Sequence, residues 1–257
     1  MNGETKKKSV GSVLYDDVMG GLRPMIPFVA GGGILMAISF MFGMRIGDNS
    51  VNQFAKILYE IGHNNAMLLM IPIFAGFIAH TIAGQDALAP GMIGGMIAKT
   101  TGSGFLGGIV AGFLAGYLVK LLNKLLSNFP EDFQSIKKLL IIPVISTFVV
   151  GIVMLCVVSV PMAWLNQGLT GFIDGLGTQN LVLTGMVIGG MMAVDLGGPI
   201  NKVAYTFAVA AISNGNYYPM AAAMVGGVVP PLGVALATTL FKKKFTKDQQ
   251  IQGKTYY

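Results

Sequence analysis

Charge is scarce in this chain. Only 11% of its 257 residues are Asp, Glu, Lys or Arg, whereas 53% are hydrophobic. A soluble domain carries about 25% charged residues. With a mean hydropathy of +0.68, too little polar surface is left to cover a globule in water. Cysteine is scarcer still. The single Cys156 excludes a disulfide framework and a cysteine-based metal cluster. It lies inside LIIPVISTFVVGIVMLCVVSV and reads as a packing residue, since a reactive thiolate needs solvent and a low-pKa environment. The first apolar span is too long for a signal peptide and lacks a small-residue cleavage site.

Glycine is plentiful. Its 36 copies are about twice ordinary usage, as expected where helices pack backbone to backbone in lipid. The net charge of +6 could suggest nucleic acid. However, the basic residues fall in loops and tails beside apolar spans, which is the positive-inside pattern of a membrane protein. No nucleic-acid partner is expected. The seventeen methionines read as pliable filler.

The organisation expected is a lead at 1–21, a transmembrane domain at 22–241 and a basic cytoplasmic tail at 242–257. In the lead, Val10, Val13, Leu14 and Val18 sit at helical spacing and suggest a short interfacial helix. Apolar spans follow at 22–43, 66–83, 104–122 and 139–164, with a polar loop at 44–65 and a short apolar segment at 87–98. A connection at 165–180 leads to two short apolar arms and a last span at 219–241. Lysines place the N-terminus, the 120–138 loop and the tail in the cytoplasm. Parity then works best if 87–98 is an abbreviated crossing. Gly104, Gly108, Gly112 and Gly116 recur every four residues, as do Gly91 and Gly95, so each set forms a smooth stripe for helix contact.

The run MMAVDLGGPINK, Met191 to Lys202, places Asp195, Asn201 and Lys202 beside Gly197, Gly198 and Pro199, between two apolar arms. A polar, broken backbone at membrane depth is tolerated only where it is buried in protein or lines a watery cavity. Intramembrane ionisable residues are functional-site candidates by default. Asp195 can accept from two hydroxyls, Asn201 can donate and accept, and Lys202 can donate or attract a phosphoryl group. The glycines allow close backbone approach, and the proline frees carbonyls from the helix ladder. The alternative is a structural Asp195–Lys202 ion pair that pins the break. His80 and Asp86 are further candidates for the wall of a cavity; His63 reads as a solvated loop residue. The fold class expected is all-α, a polytopic transmembrane helical bundle with short, broken or re-entrant helices around a midplane site. No metal, cofactor or catalytic residue is assigned in this chain.

The runs LRPMIPFVAGGGILMAISF, IPIFAGFIAHTIAGQDALAPGMIGGMIA, MMAVDLGGPINKVAYTF and MVGGVVPPLGVALATTLF occur in this order. Together they resemble the membrane (IIC) domain of fructose-specific phosphotransferase-system permeases, from about Val10 onward. This chain has AGQDALAPG where the family usually shows a run like ADRPGLAPG. It ends where the family pattern continues toward a motif like GITEGAIPFA, whose glutamate is thought to bind sugar in the wider superfamily, which suggests a truncated product or a fragment. The resemblance implies a bacterial inner-membrane protein that binds fructose or a related hexose and works as a homodimer. It also implies separate partners, a IIA domain phosphorylated on histidine and a IIB domain phosphorylated on cysteine. An ion-coupled sugar transporter, or a split permease needing a C-terminal partner, stays open as an alternative.

Overall fold

The computed structural model describes residues 10–42, 52–130, 133–175, 181–195, 199–213 and 215–254. Every regular element among them is helical, as the all-α reading requires. Five segments are long and apolar enough to cross a membrane: Gly11–Met41, Gln53–Ala83, Gly104–Leu125, Gln134–Leu165 and Tyr218–Leu240. The chain forms two compact units, Met1–Asn166 and Gln167–Tyr257.

The first unit begins with α1 (Val10–Met41), one helix of 32 residues that carries Pro24 and Pro27 within it. The residues expected to form a separate interfacial helix are its opening turns. After it come α2 (Gln53–Tyr59), a π-helical turn at Glu60–Ala66, a 3-10 turn at Met67–Leu69 and α3 (Met70–Ala83). The loop expected at 44–65 is therefore helical from Gln53 onward. Its polar residues are satisfied locally, which is why they do not end the helix. Asn52 caps α2 by accepting from the Phe54 amide at 2.9 Å. Asn64 donates to the Glu60 carboxylate at 2.5 Å, and Asn65 donates to the Glu60 carbonyl at 2.8 Å. Ring contacts of Phe42 with Phe54 (5.3 Å between centroids) and Phe40 with Tyr59 (6.1 Å) bind α2 to the end of α1. His63 is not a solvated loop residue. It stacks on Tyr59 at 4.9 Å, and its Nδ1 is buried without a hydrogen-bond partner.

A turn at Gly84 leads through Gln85–Ala87 into α4 (Leu88–Thr100), and a second turn leads to α5 (Gly104–Leu125). Gly84 and Gly102 have φ of 76° and 77°, a left-handed conformation that L side chains rarely adopt. Close approaches between glycines and their neighbours set the direction of each helix. Gly95 meets Ile71 and Pro72 of α3, whereas Gly91 meets Ala75, Gly76 and Ala79, so α4 runs antiparallel to α3. Gly108 meets Ile71, Gly112 meets Ile78 and Gly116 meets Ile82, so α5 runs parallel to α3. Gly20 abuts Thr81 and Gly32 abuts Ala66, which makes α1 antiparallel to α3. The start of α1 and the end of α5 therefore share one end of the unit, as the lysine pattern requires. The abbreviated α4, 13 residues and about 20 Å long, supplies the extra pass. Gly91 and Gly95 on α4, and Gly108, Gly112 and Gly116 on α5, are the surfaces by which these two helices contact α3.

The unit closes with α6 (Gln134–Ile136), a π-helical turn at Lys137–Ile141, α7 (Ile142–Val153), another π-helical turn at Met154–Val158 and the start of α8 (Ser159–Gly175), as far as Asn166. Gly94 meets Val150, and Thr101 Oγ1 donates to Ser159 Oγ at 3.0 Å, so this rod runs parallel to α4. Within the second π turn Met154 faces inward and Cys156 outward, so Cys156 is exposed and not a packing residue. Lys137 does more than set topology. Only 7% exposed, it donates to the Leu126 carbonyl at 2.6 Å and places a cation at the end of α5, where the helix dipole is negative.

The second unit contains α9 (Leu181–Asp195), α10 (Pro199–Ser213), α11 (Tyr218–Leu240) and α12 (Lys247–Lys254). Gly226 of α11 lies against Gly189 of α9, and an added Cβ at Gly226 would fall 2.6 Å from the Gly189 Cα. The basic tail is not featureless. Thr246 and Gln249 exchange side-chain and backbone hydrogen bonds at 3.0 and 3.3 Å as a capping box for α12. Gly253 then packs beneath Thr238, folding α12 back along α11.

Candidate functional site

The DLGGPINK run joins two helical arms. Three residues, 196–198, separate the end of α9 at Asp195 from the start of α10 at Pro199. Proline suits a first helical position, because the amide it lacks would have no partner there. Ile188, Met192, Ala204 and Ala208 form a buried cluster with Ala223 of α11. Met192 and Ala204 stand equally far from residue 198, as do Ile188 and Ala208, the spacing of two antiparallel arms. Tyr205 and Met191 pack on the same cluster. Each arm has 15 residues, about 22 Å of helix, against a hydrocarbon core of about 30 Å.

Asn201 Nδ2 donates to the Met192 carbonyl at 3.0 Å. That carbonyl belongs to the last described turn of α9. Asn201 thus links the first turn of one arm to the last turn of the other. Gly197 and Gly198 lie outside the described residues, as do the side chains of Asp195, Pro199 and Lys202.

His80 and Asp86 belong to the first unit. His80 occupies the last turn of α3, half-buried, with its ring 5.8 Å from that of Phe77. Asp86 lies in the α3–α4 turn and accepts a long 3.4 Å hydrogen bond from Asn123 of α5. One acid escaped the sequence reading. Asp17 of α1 is only 7% exposed. The signal for it was an acid one turn before Gly20 and Gly21, which pack tightly on α3.

The sequence model of the family described as "Phosphotransferase system, EIIC" matches residues 19–256. A fructose-specific EIIABC component from Bacillus subtilis is 49% identical over 99% of this chain, which spans 41% of that relative. The fructose permease IIC component of Bacillus amyloliquefaciens is 50% identical over 82% of this chain and 69% of its own length. An EIIB'BC component of the fructose system from Escherichia coli is 46% identical over 98% of this chain, which spans 44% of that protein. No solved structure matches the chain.

Proposed function

The chain belongs to the EIIC family of the phosphotransferase system, and from that premise we propose that it binds fructose and carries it across the membrane for phosphorylation. Its long apolar helices make it a multi-pass protein of a bacterial membrane. The choice of fructose rests on the names of its relatives. The observation that carries the site is the α9–α10 pair, two short apolar arms packed on one cluster with the polar DLGGPINK residues between them and at their facing ends.

In this reading Asp195 accepts from sugar hydroxyls, Gly197 and Gly198 let backbone approach the ring, and Pro199 starts α10. Asn201 and Lys202 complete the element, with Lys202 drawing in the phosphoryl group. In the first unit the proposal extends to His80 and Asp86 as sugar contacts. Partner IIA and IIB components pass the phosphoryl group along. A sugar hydroxyl attacks the phosphorus of the IIB phosphocysteine; the O–P bond forms, the S–P bond breaks and the hydroxyl proton leaves. Such in-line transfer depends on positioning and electrostatics, and this chain supplies the sugar's position. The charge on the product prevents its return through lipid. The same reading includes assembly as a homodimer.

Proteoliposomes test the reading. With phosphorylated IIB present, fructose is expected inside as its phosphate; without IIB, uptake is expected to fall to background. Ion-driven accumulation of free fructose without IIB would instead identify a secondary transporter with a broken-helix site.

A further inference from the structure

We infer that Asn201 is a positioning residue, a brace that sets how the two arms of the α9–α10 hairpin meet before any sugar arrives. The inference refines the site proposed above and rests on that reading for its link to transport. It starts from the commitment of the amide. Asn201 Nδ2 is 3.0 Å from the Met192 carbonyl, across the break and nine residues back in the chain. The same Met192 is 8% exposed and contributes its side chain to the cluster of Ile188, Ala204, Ala208 and Ala223. One residue is therefore held twice, by packing from its side chain and by hydrogen bonding at its carbonyl.

The bond ties the opening turn of α10 to the closing turn of α9. In lipid no water competes for it, so it couples the direction of one arm to that of the other.

Accessibility of the apex in the absence of sugar separates a brace from a ligand. In a Cys156→Ser background, Leu196→Cys supplies a single thiol beside Asp195, and its rate of reaction with a small hydrophilic maleimide is measured without fructose. Asn201→Asp keeps the size of the side chain but removes the N–H donor. It is expected to change that rate about fivefold or more, as loss of one hydrogen bond allows. Asn201→Gln, which keeps a donor, is expected to stay nearer the parent. Asn201→Ser serves in the same comparison should the Asp variant fail to insert. A sugar-free rate equal to the parent's in the Asp or Ser variant, with weaker fructose binding, would make Asn201 a direct ligand and overturn the brace. Equal changes in the Gln and Asp variants would overturn it as well. The labelling readout needs no bound sugar, so failure of the fructose assignment would show separately, as a parent chain that binds none.

Discussion

Asp195→Asn is expected to weaken fructose binding by roughly thirtyfold while leaving insertion and yield unchanged. The substitution keeps size and shape and removes only the charge. Hydrogen bonds to charged groups contribute about 1.5–3 kcal/mol each, against about 0.5–1.5 kcal/mol for neutral pairs. Two sugar hydroxyls donating to one carboxylate therefore lose about 2 kcal/mol together, which is roughly a factor of thirty in Kd. Isothermal titration or fluorescence binding on the purified chain reads this directly. The opposite pattern, intact binding with poor yield, would assign Asp195 to a structural ion pair with Lys202.

The largest effect on stability is expected at Gly95. A Cβ there would stand 2.8 Å from the Ala75 Cβ, 2.8 Å from the Ile71 carbonyl oxygen and 2.8 Å from the Pro72 Cα. Two of these three are backbone atoms, which cannot swing away as a flexible side chain can. Overpacking a tight core costs about 1–3 kcal/mol. Gly95→Val, which meets backbone on the facing helix, belongs at the upper end or beyond, a large share of the 5–15 kcal/mol that holds a typical domain together. Thermal unfolding in detergent and the monodisperse fraction after purification are expected to fall sharply. Gly151→Val is the control, since its nearest neighbour is the Ile97 Cδ1 at 3.9 Å. Similar losses in both variants would mean that general helix propensity, and not the α3–α4 contact, sets the cost.

The periodic features of this fold were legible in the sequence. Uninterrupted apolar runs marked the long spans, and the four-residue spacing of Gly104, Gly108, Gly112 and Gly116 marked a contact stripe before any neighbour was known. Lysine bias required an extra pass between the N-terminus and the 120–138 loop, and α4 provides it. What stayed hidden depends on partners that lie far apart in the chain or on local satisfaction of polar groups. Glu60, Asn64 and Asn65 read as a loop because hydropathy does not register that they bond to one another. The burial of Lys137 depends on the end of α5 eleven residues earlier, and that of Asp17 on helices reached much later. Cys156 sits in an apolar run whichever way it faces, and only the π-helical turn decides that it points outward. The tail helix was within reach, since Thr246 and Gln249 carry the spacing of a capping box.

At the candidate site, the two apolar arms were legible and the bond between them was not. Nothing in the order of residues assigned the Asn201 amide to the Met192 carbonyl. That bond needs the arms to fold back on each other, which follows from packing among Ile188, Met192, Ala204 and Ala208.

The most direct test uses the Leu196→Cys thiol in the Cys156→Ser background, labelled in intact membranes with a hydrophilic maleimide, with and without fructose. A wet, sugar-holding apex gives fast labelling that fructose slows at least several-fold, while a sugar the protein does not bind leaves the rate alone. A thiol that stays unlabelled, or labels equally fast at any fructose concentration, would mean that the hairpin tip is sealed in protein or lipid and grips no carbohydrate.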